Sequence, residues 1–195
     1  MHGNAPDNAP VALLMIDVIN DLEFEGGDEL LRHAQPAAKR IAALKDRCKH
    51  AGIPSVYVND NFGKWRSDFK KLVSHCLDDN TRGKEIVQVL KPEPEDYFVL
   101  KPKHSGFFST TLDLLLEHLG AETLILTGLT GDICVLFTAN DAYMRDYRLV
   151  IPGDCVVSQD EEENRRVLKF MERVLDADIT PSNEIELDKL KEIGH

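Results

Sequence analysis

The sequence predicts an α/β fold with a mostly parallel sheet and helices on both of its faces. Short apolar runs of strand length alternate with longer amphipathic segments along the 195 residues. The first run, Val11 to Ile16, is apolar at every position, which is typical of a strand buried on both faces of a parallel sheet. Regular alternation of strands and helices favours parallel pairing, because each helix carries the chain back across the sheet.

The remaining elements follow in the same alternating order. The segment Pro36 to Ala51 has apolar residues at steps of three and four, and Gly52 then predicts its end. The other predicted helices are Ser67 to Leu77, Gly83 to Leu90, Thr110 to Leu119, Gly131 to Arg145 and Glu161 to Val174. The other predicted strands are Pro54 to Val58, Tyr97 to Leu100, Thr123 to Thr127, Arg148 to Ile151 and Ala177 to Thr180.

The chain is long enough for one domain with a substantial apolar core. We predict a flexible leader over residues 1–9, one domain over residues 10–180 and a charged tail over residues 181–195. For this tail two alternatives stay open: docking on the body or on a partner subunit, or a short solvated helix. No linker, repeat or low-complexity tract divides the domain.

Composition and charge exclude several classes of protein. The net charge of −11 argues against nucleic acid as a partner, since phosphate binding relies on clustered Lys and Arg. Neither a membrane-spanning run nor a signal peptide is present, so we expect no membrane partner. The four cysteines are scattered, which predicts free thiols in a reducing, cytoplasmic environment.

The histidines and cysteines give no support for a metal site. The seven histidines include no HxH or HExxH spacing, and the cysteines form no CxxC pair. We therefore expect neither a metal ion nor any other cofactor.

Polar residues stand at the ends of the central strands. Asp17 follows the first strand, Lys101 follows the third, and Cys134 lies near the start of the helix after the fourth. Open α/β sheets bind ligands at the carboxyl ends of their strands. We therefore expect these three side chains to meet at one edge of the sheet.

The combination of acid, base and thiol suits nucleophilic catalysis. Backbone N–H groups at a helix start and the Lys101 ammonium both favour a thiolate at Cys134. The Asp17 carboxylate is expected to accept the thiol proton. Glycines at positions 128 and 131 allow the backbone to approach a ligand closely.

Each of the three residues also has a structural interpretation. Asp is common in turns, Lys is usually solvated, and free Cys is often a small buried apolar residue. Their convergence is what favours catalysis. Cys48 and Cys76 lie among apolar helix positions and are interpreted as structural, whereas Cys155 lies near the same edge without a helix start.

Four motifs resemble those of the isochorismatase-like hydrolases. They are the first-strand motif LLMIDVIND at 13–21, the lysine motif LKPKHSGFFSTTL at 100–112, the nucleophile segment LTGLTGDICVLFTANDA at 126–142, and RLVIPGDCVVS at 148–158. The resemblance spans about residues 10–180, in the family's order and spacing.

The resemblance implies a three-layer α/β/α domain with a six-stranded, Rossmann-like sheet. It also implies a catalytic triad of Asp17, Lys101 and Cys134. A cis peptide bond between Leu129 and Thr130 is implied as well, with the backbone N–H groups of Thr130 and Cys134 forming an oxyanion hole.

One departure from the family concerns metal binding. Nicotinamidase-type relatives carry metal-binding histidines after the second strand, whereas no histidine precedes His75 here. Asp60, Asn61 and Trp65 are instead candidates for lining the substrate pocket, the alternative being a capped loop with Trp65 as a packing residue. Phe107 is a further candidate for the pocket wall.

These observations predict a cysteine hydrolase that cleaves a small amide or related C–N bond through a thioester on Cys134. Asp17 would act as general acid and base, and Lys101 as electrostatic support. The nearest alternative is vinyl-ether hydrolysis of isochorismate, which needs Asp17 but not Cys134. Two further alternatives stay open. One is a non-catalytic oligomeric binding protein, and the other is a redox sensor in which Cys155 is the resolving thiol.

The expected partners are a small-molecule substrate and further copies of the chain, since the family's habits favour a homo-oligomer.

Overall fold

Six parallel strands form the central sheet in the part of the chain that the structure, a computed structural model, describes: residues 9–61, 68–78 and 80–192. The strands are β1 (Val11–Ile16), β2 (Ser55–Asp60), β3 (Tyr97–Lys101), β4 (Thr123–Leu129), β5 (Arg148–Val150) and β6 (Val156–Val157). Their order is β3-β2-β1-β4-β5, and β6 pairs with the last residues of β4. The predicted α/β fold is confirmed.

Helices cover both faces of the sheet. They are α1 (Gly27–His50), α2 (Phe69–Asp78), α3 (Lys84–Val89), α4 (Leu112–Leu119), α5 (Leu136–Tyr143), α6 (Glu161–Leu175) and α7 (Leu187–Glu192). A π-helical turn, Gly131–Val135, precedes α5, and a 3-10 turn, Ser182–Glu184, precedes α7. Within the described ranges, no helix is long and apolar enough to cross a bilayer.

The strands bury side chains on both faces, which explains their continuous apolar runs. On one face, Leu13 and Met15 pack with α1, α2 and α3. On the other face, Leu14 and Ile16 pack with α4, α5 and α6. The result is three layers with one core on each side of the sheet.

The register of the strands aligns their carboxyl ends. Ile16, the last residue of β1, lies opposite Val58 of β2 and Gly128 of β4. Asp60 of β2 lies opposite Lys101 of β3. The residues that follow or end these strands are therefore brought to one edge of the sheet, as predicted.

Helix α1 begins nine residues earlier than the sequence predicts. The sequence predicts a start at Pro36, where the spacing of apolar residues is clear, and proline is also common in the first turn of a helix. In the structure Pro36 lies inside α1 on its exposed side. The buried stripe continues ahead of it through Leu30 and Ala34, and tertiary packing of that stripe extends the helix.

The sixth strand is not the one that the sequence predicts. The segment Ala177 to Thr180 contributes only a single bridge, between Asp178 and Val150. Beyond this bridge, only the Ile151 and Gly153 N–H groups of the described residues donate to this segment, at the carbonyl oxygens of Asp178 and Ile179, and no regular strand forms. Val156 and Val157 take the sixth position instead, in a pair too short for a periodic signal.

The tail docks on the body through α1. Arg47 donates hydrogen bonds to the carbonyl oxygens of Ser182 and Ile185. Ile185 and Leu187 are buried against the α1 core, and α7 then supplies the short helix. The tail therefore packs on α1 and also contains a short helix, features that the sequence analysis treats as alternatives.

We expect Gly128→Ala to lower the free energy of unfolding by at least about 3 kcal/mol. Gly128 has a φ of +118°, and an added Cβ would lie 2.0 Å from the Ile16 carbonyl oxygen. The matched control is Gly52→Ala, where φ is +73° and no heavy atom lies within 4 Å of the added Cβ. Backbone strain alone predicts a loss of about 1 kcal/mol there. Urea denaturation measures the free energy of unfolding of both variants. Equal decreases for Gly128→Ala and Gly52→Ala would contradict the tight packing of β4 against β1.

Candidate active site

Asp17 is held rigidly at the end of β1. Its backbone adopts a φ of +51°, a conformation that Asp tolerates better than most residues. Its N–H donates to the Val58 carbonyl at 2.9 Å, and its carboxylate accepts from the Asp60 N–H at 2.7 Å. Strand β2 therefore fixes both the backbone and the side chain of Asp17.

Lys101 is the central cation of the site. It ends β3 and its side chain is fully buried. Its ammonium lies 2.9 Å from the Asp17 carboxylate and 3.5 Å from that of Asp60. It also lies 3.4 Å from the Cys134 sulfur, so it bridges the acid and the thiol.

Cys134 lies in the π-helical turn that follows β4. Its half-buried thiol is hydrogen-bonded to the Lys101 ammonium, and the Asp17 carboxylate is near enough to influence the pKa of the thiol. The three residues that the sequence predicts to converge do therefore meet. Asp60, which was expected only to line the pocket, forms part of the same cluster through its ion pair with Lys101.

The turn before Cys134 has the backbone geometry that the resemblance to the isochorismatase-like hydrolases implies. The peptide bond between Leu129 and Thr130 is cis. The Thr130 carbonyl accepts hydrogen bonds from the N–H groups of Ile133 and Val135 at 3.2 and 3.1 Å. These bonds fix the start of the π-helical turn that carries Cys134.

The protonation state of the thiol differs from the expectation of a stabilised thiolate. Burial raises the pKa of Cys134 from 9.0 to about 12, and the negative charge of Asp17 adds to the rise. The Lys101 ammonium lowers the pKa of Cys134 but does not outweigh these two effects. Cys134 is therefore a neutral thiol near neutral pH, and it needs a base.

Asp17 is suited to act as that base. Burial raises the pKa of its carboxyl above the usual 3.8, against the opposing effect of Lys101. A raised pKa makes the carboxylate a stronger proton acceptor. Burial lowers the pKa of Lys101, but the negative charge of Asp17, its hydrogen bond to the ammonium and the charge of Asp60 outweigh this and raise the pKa above 10.5. Lys101 therefore stays charged.

Two further residues belong to the site and were missed from the sequence. His104 places its Nδ1 atom 3.9 Å from the Cys134 sulfur, and its exposed ring contacts Phe137. The Thr138 hydroxyl donates to the Cys134 carbonyl at 2.7 Å and accepts from the Gly106 N–H at 3.0 Å. In the sequence, only their positions point to the site. His104 lies three residues after Lys101, and Thr138 lies one helical turn after Cys134.

The predicted pocket residues have different surroundings. The Asn61 N–H donates to the Lys101 carbonyl at 3.0 Å, which places Asn61 beside the site. Phe107 is buried in the core, with its ring near Tyr147 and under the Arg145 guanidinium. These are contacts of a core residue, and a contact with substrate stays a prediction for both Asn61 and Phe107. Trp65 lies outside the described residues.

Cys48 and Cys76 are buried, as expected for structural residues, and Cys155 is buried as well. Cys155 packs in the core on the α1 side of the sheet, whereas Cys134 packs against the core on the α5 side. Because the sheet separates the two thiols, the structure disfavours Cys155 as a resolving cysteine.

Metal binding is not apparent at the site. Within residues 9–61, 68–78 and 80–192, no group of three His, Cys, Asp or Glu side chains is arranged to hold a metal ion. The expected absence of a metal and of any other cofactor stays a prediction.

Comparison with known proteins settles the family. A model of the isochorismatase domain matches residues 11–182. The chain belongs to the isochorismatase family. The isochorismatase family protein YaaI of Bacillus subtilis is 43% identical over 177 residues, which cover 91% of this chain and 97% of YaaI. The resemblance seen in the four motifs is confirmed.

Two further relatives of this isochorismatase-family hydrolase have named activities. Ureidoacrylate amidohydrolase RutB of Methylobacterium radiotolerans is 29% identical, over 77% of this chain and 68% of its own length. The crystal structure of N-carbamoylsarcosine amidase from Thermoplasma acidophilum is 31% identical, with a TM-score of 0.68. The match covers 90% of this chain and 98% of that amidase.

We expect iodoacetamide to alkylate Cys134 slowly at pH 8. A thiol with a pKa of about 12 is only about 0.01% thiolate at that pH, and the rate should rise about tenfold per pH unit. Asp17→Asn should accelerate the reaction, because it removes the charge that disfavours thiolate. Lys101→Met should slow it. Peptide mass spectrometry after timed alkylation measures each rate, and fast, pH-independent labelling of the wild type would contradict the protonated thiol.

Proposed function

We propose that the protein is a cysteine amidohydrolase that cleaves small amide or ureido substrates through a thioester on Cys134. The observation that carries the proposal is the position of the buried Lys101 ammonium, 2.9 Å from Asp17 and 3.4 Å from the Cys134 sulfur. This geometry holds a carboxylate and the thiol around one ammonium group, so that Asp17 is available as the base and a fixed positive charge lies beside the thiolate that forms.

The first step is acylation of Cys134. The Asp17 carboxylate takes the proton of the Cys134 thiol, and the sulfur attacks the substrate carbonyl carbon to form a C–S bond. Lys101 stabilises the sulfur anion while it exists. The proton stays within the buried cluster, so no group has to exchange with bulk water.

The tetrahedral intermediate carries a negative charge on the former carbonyl oxygen. We assign its stabilisation to the backbone N–H groups of Thr130, which immediately precedes the π-helical turn, and of Cys134, which lies within that turn. Each such donor typically contributes about 3 kcal/mol to lowering the barrier. Collapse of the intermediate breaks the C–N bond, and Asp17 returns its proton to the leaving nitrogen.

Hydrolysis of the thioester completes the cycle. Asp17, again a carboxylate, takes a proton from water, and the resulting hydroxide adds to the thioester carbon. The C–S bond then breaks, and Asp17 returns the proton to the sulfur. Asp17 therefore serves as base and acid in both half-reactions, whereas Lys101 keeps its charge throughout.

The substrate class follows from the relatives and from the thiol. The names of two relatives specify a ureido and a carbamoyl compound, both of which carry an N–CO–N group. A nucleophilic thiol is useful for such acyl carbons and is not needed to protonate a vinyl ether. We therefore favour ureido and carbamoyl acids, together with simple carboxamides, over isochorismate.

The cellular setting follows from the cysteines. All four are free thiols, and this supports the expected cytoplasmic, reducing environment. We propose a small-molecule substrate as the partner of the site, with no role for nucleic acid or membrane.

We expect a screen of small amides, ureido acids and carbamoyl compounds, followed by ammonia release, to find a substrate. Cys134→Ala should lower kcat on it by about 10⁴-fold or more, because no other group forms the acyl intermediate. Cys48→Ala is the matched control, since it removes a buried thiol in α1 and should keep normal turnover. Full amidase turnover in Cys134→Ala would contradict the mechanism. Isochorismate hydrolysis that survives in the same variant would instead establish the vinyl-ether alternative.

We expect kcat/KM to fall on the acid side as Asp17 becomes protonated. Burial raises the pKa of the Asp17 carboxyl, so this loss should begin at a higher pH than for a carboxyl with the usual pKa of 3.8. Because the pKa of Lys101 lies above 10.5, no alkaline loss is expected below about pH 10. Initial rates across pH test this, and a rate that stays constant down to pH 3.8 would exclude Asp17 as the base.

A further inference from the structure

Lys101 and Cys134 stand on strands that are not neighbours in the sheet. Lys101 ends β3, and Cys134 lies in the turn after β4, with β2 and β1 between the two strands. Neighbouring strands lie about 4.8 Å apart, so β3 and β4 lie about 14 Å apart. Strand pairing therefore does not by itself fix the ammonium beside the sulfur. The segment between β3 and α4, residues 102–111, is called the lysine loop below.

Thr138 of α5 connects the lysine loop to the nucleophile. Its side chain is fully buried, and its hydroxyl donates to the Cys134 carbonyl at 2.7 Å and accepts from the Gly106 N–H at 3.0 Å. A bond from threonine to the carbonyl four residues earlier is common in helices. The bond from Gly106 is different, because it comes from the lysine loop, 32 residues earlier in the chain. One hydroxyl group therefore joins the two halves of the site.

Asp141 forms a second connection, one helical turn after Thr138. Its carboxylate accepts a hydrogen bond from the buried Ser105 hydroxyl, which in turn accepts from the Phe107 N–H at 3.1 Å. The Arg145 guanidinium lies 3.8 Å from the Asp141 carboxylate, and its central carbon lies 4.7 Å from the centre of the Phe107 ring. The lysine loop is therefore held to α5 at two successive turns. We call these two connections the loop clamp.

The lysine loop fits closely where it meets Thr138. A Cβ added to Gly106 would lie 2.8 Å from Val58 Cγ1 and 3.5 Å from Thr138 Cγ2. The absence of a side chain at Gly106 lets the backbone approach both β2 and α5, so that its N–H reaches the hydroxyl. Since this N–H is buried, it depends on the Thr138 hydroxyl as its acceptor.

We propose that Thr138 and Asp141 are positioning residues, which fix the 3.4 Å distance between the Lys101 ammonium and the Cys134 sulfur. Both residues act through the lysine loop, and Thr138 is too deeply buried to bind substrate. The inference rests on the proposed function, in which Lys101 stabilises the Cys134 thiolate. A displacement of about 1 Å in such an arrangement can lower a rate about 100-fold.

Removal of the Thr138 hydroxyl tests the loop clamp. Thr138→Val has nearly the same shape but loses both hydrogen bonds, whereas Thr138→Ser keeps them. We expect Thr138→Val to lower kcat about 10- to 100-fold and to change KM less than about threefold, because binding of the substrate is not affected. Thr138→Ser should keep kcat within about threefold of the wild-type value.

Two further comparisons separate the clamp from a general loss of stability. Thr127 on β4 is also fully buried, and its hydroxyl donates to the Leu14 carbonyl at 3.1 Å. Thr127→Val therefore removes a buried hydroxyl outside the clamp and should leave kcat unchanged. At the second connection, Asp141→Leu should lower kcat, whereas Asp141→Asn keeps an oxygen that accepts from Ser105 and should retain most of it.

Alkylation of Cys134 by iodoacetamide gives a readout that needs no substrate. Thr138→Val should slow it, as Lys101→Met does, because the ammonium no longer lies beside the thiolate. This comparison is independent of amidase turnover, so it distinguishes a failure of the clamp from a failure of the proposed reaction. Circular dichroism and thermal unfolding show that each variant is folded. A folded Thr138→Val with wild-type kcat or a wild-type alkylation rate would overturn the proposal, as would an equal loss of kcat in Thr138→Ser or Thr127→Val.

Discussion

A fully buried ammonium group governs the structure of the active site. Removing Lys101 from water carries a large desolvation cost, which only close anionic partners offset. Asp17 and Asp60 provide those partners from the ends of β1 and β2, and the parallel register brings both to the end of β3. Asp17, Asp60 and the Cys134 sulfur are therefore grouped around this one charge, within 3.5 Å of the ammonium.

The same charge balance explains how a half-buried thiol can be unreactive on its own and still be competent in catalysis. Asp17 and Lys101 already neutralise each other, so a second anion at Cys134 is disfavoured and the thiol stays protonated. Transfer of its proton to Asp17 keeps the net charge of the cluster constant while creating a thiolate beside the ammonium. Reactivity therefore depends on proton transfer within the cluster and not on a permanently ionised sulfur.

Much of this arrangement could be predicted from the sequence. The apolar run before Asp17, the strand before Lys101 and the glycine-flanked segment before Cys134 each gave a local signal, and the family motifs joined them. The start of α1 and the sixth strand could not be predicted, because tertiary packing overrides Pro36 in the first case and a two-residue pair forms the second. The raised pKa of Cys134 also depends on burial, which no spacing reveals. His104 gave only a positional signal.

The acyl-enzyme on Cys134 is the feature that distinguishes the proposed mechanism from its alternatives. The most direct measurement is acid quenching during turnover of a ureido, carbamoyl or carboxamide substrate, followed by mass spectrometry of the peptide that contains Cys134. The proposed mechanism predicts an added mass equal to the acyl group, which is absent in Cys134→Ala. Rapid turnover of such a substrate with no adduct on Cys134 under any quench condition would contradict it.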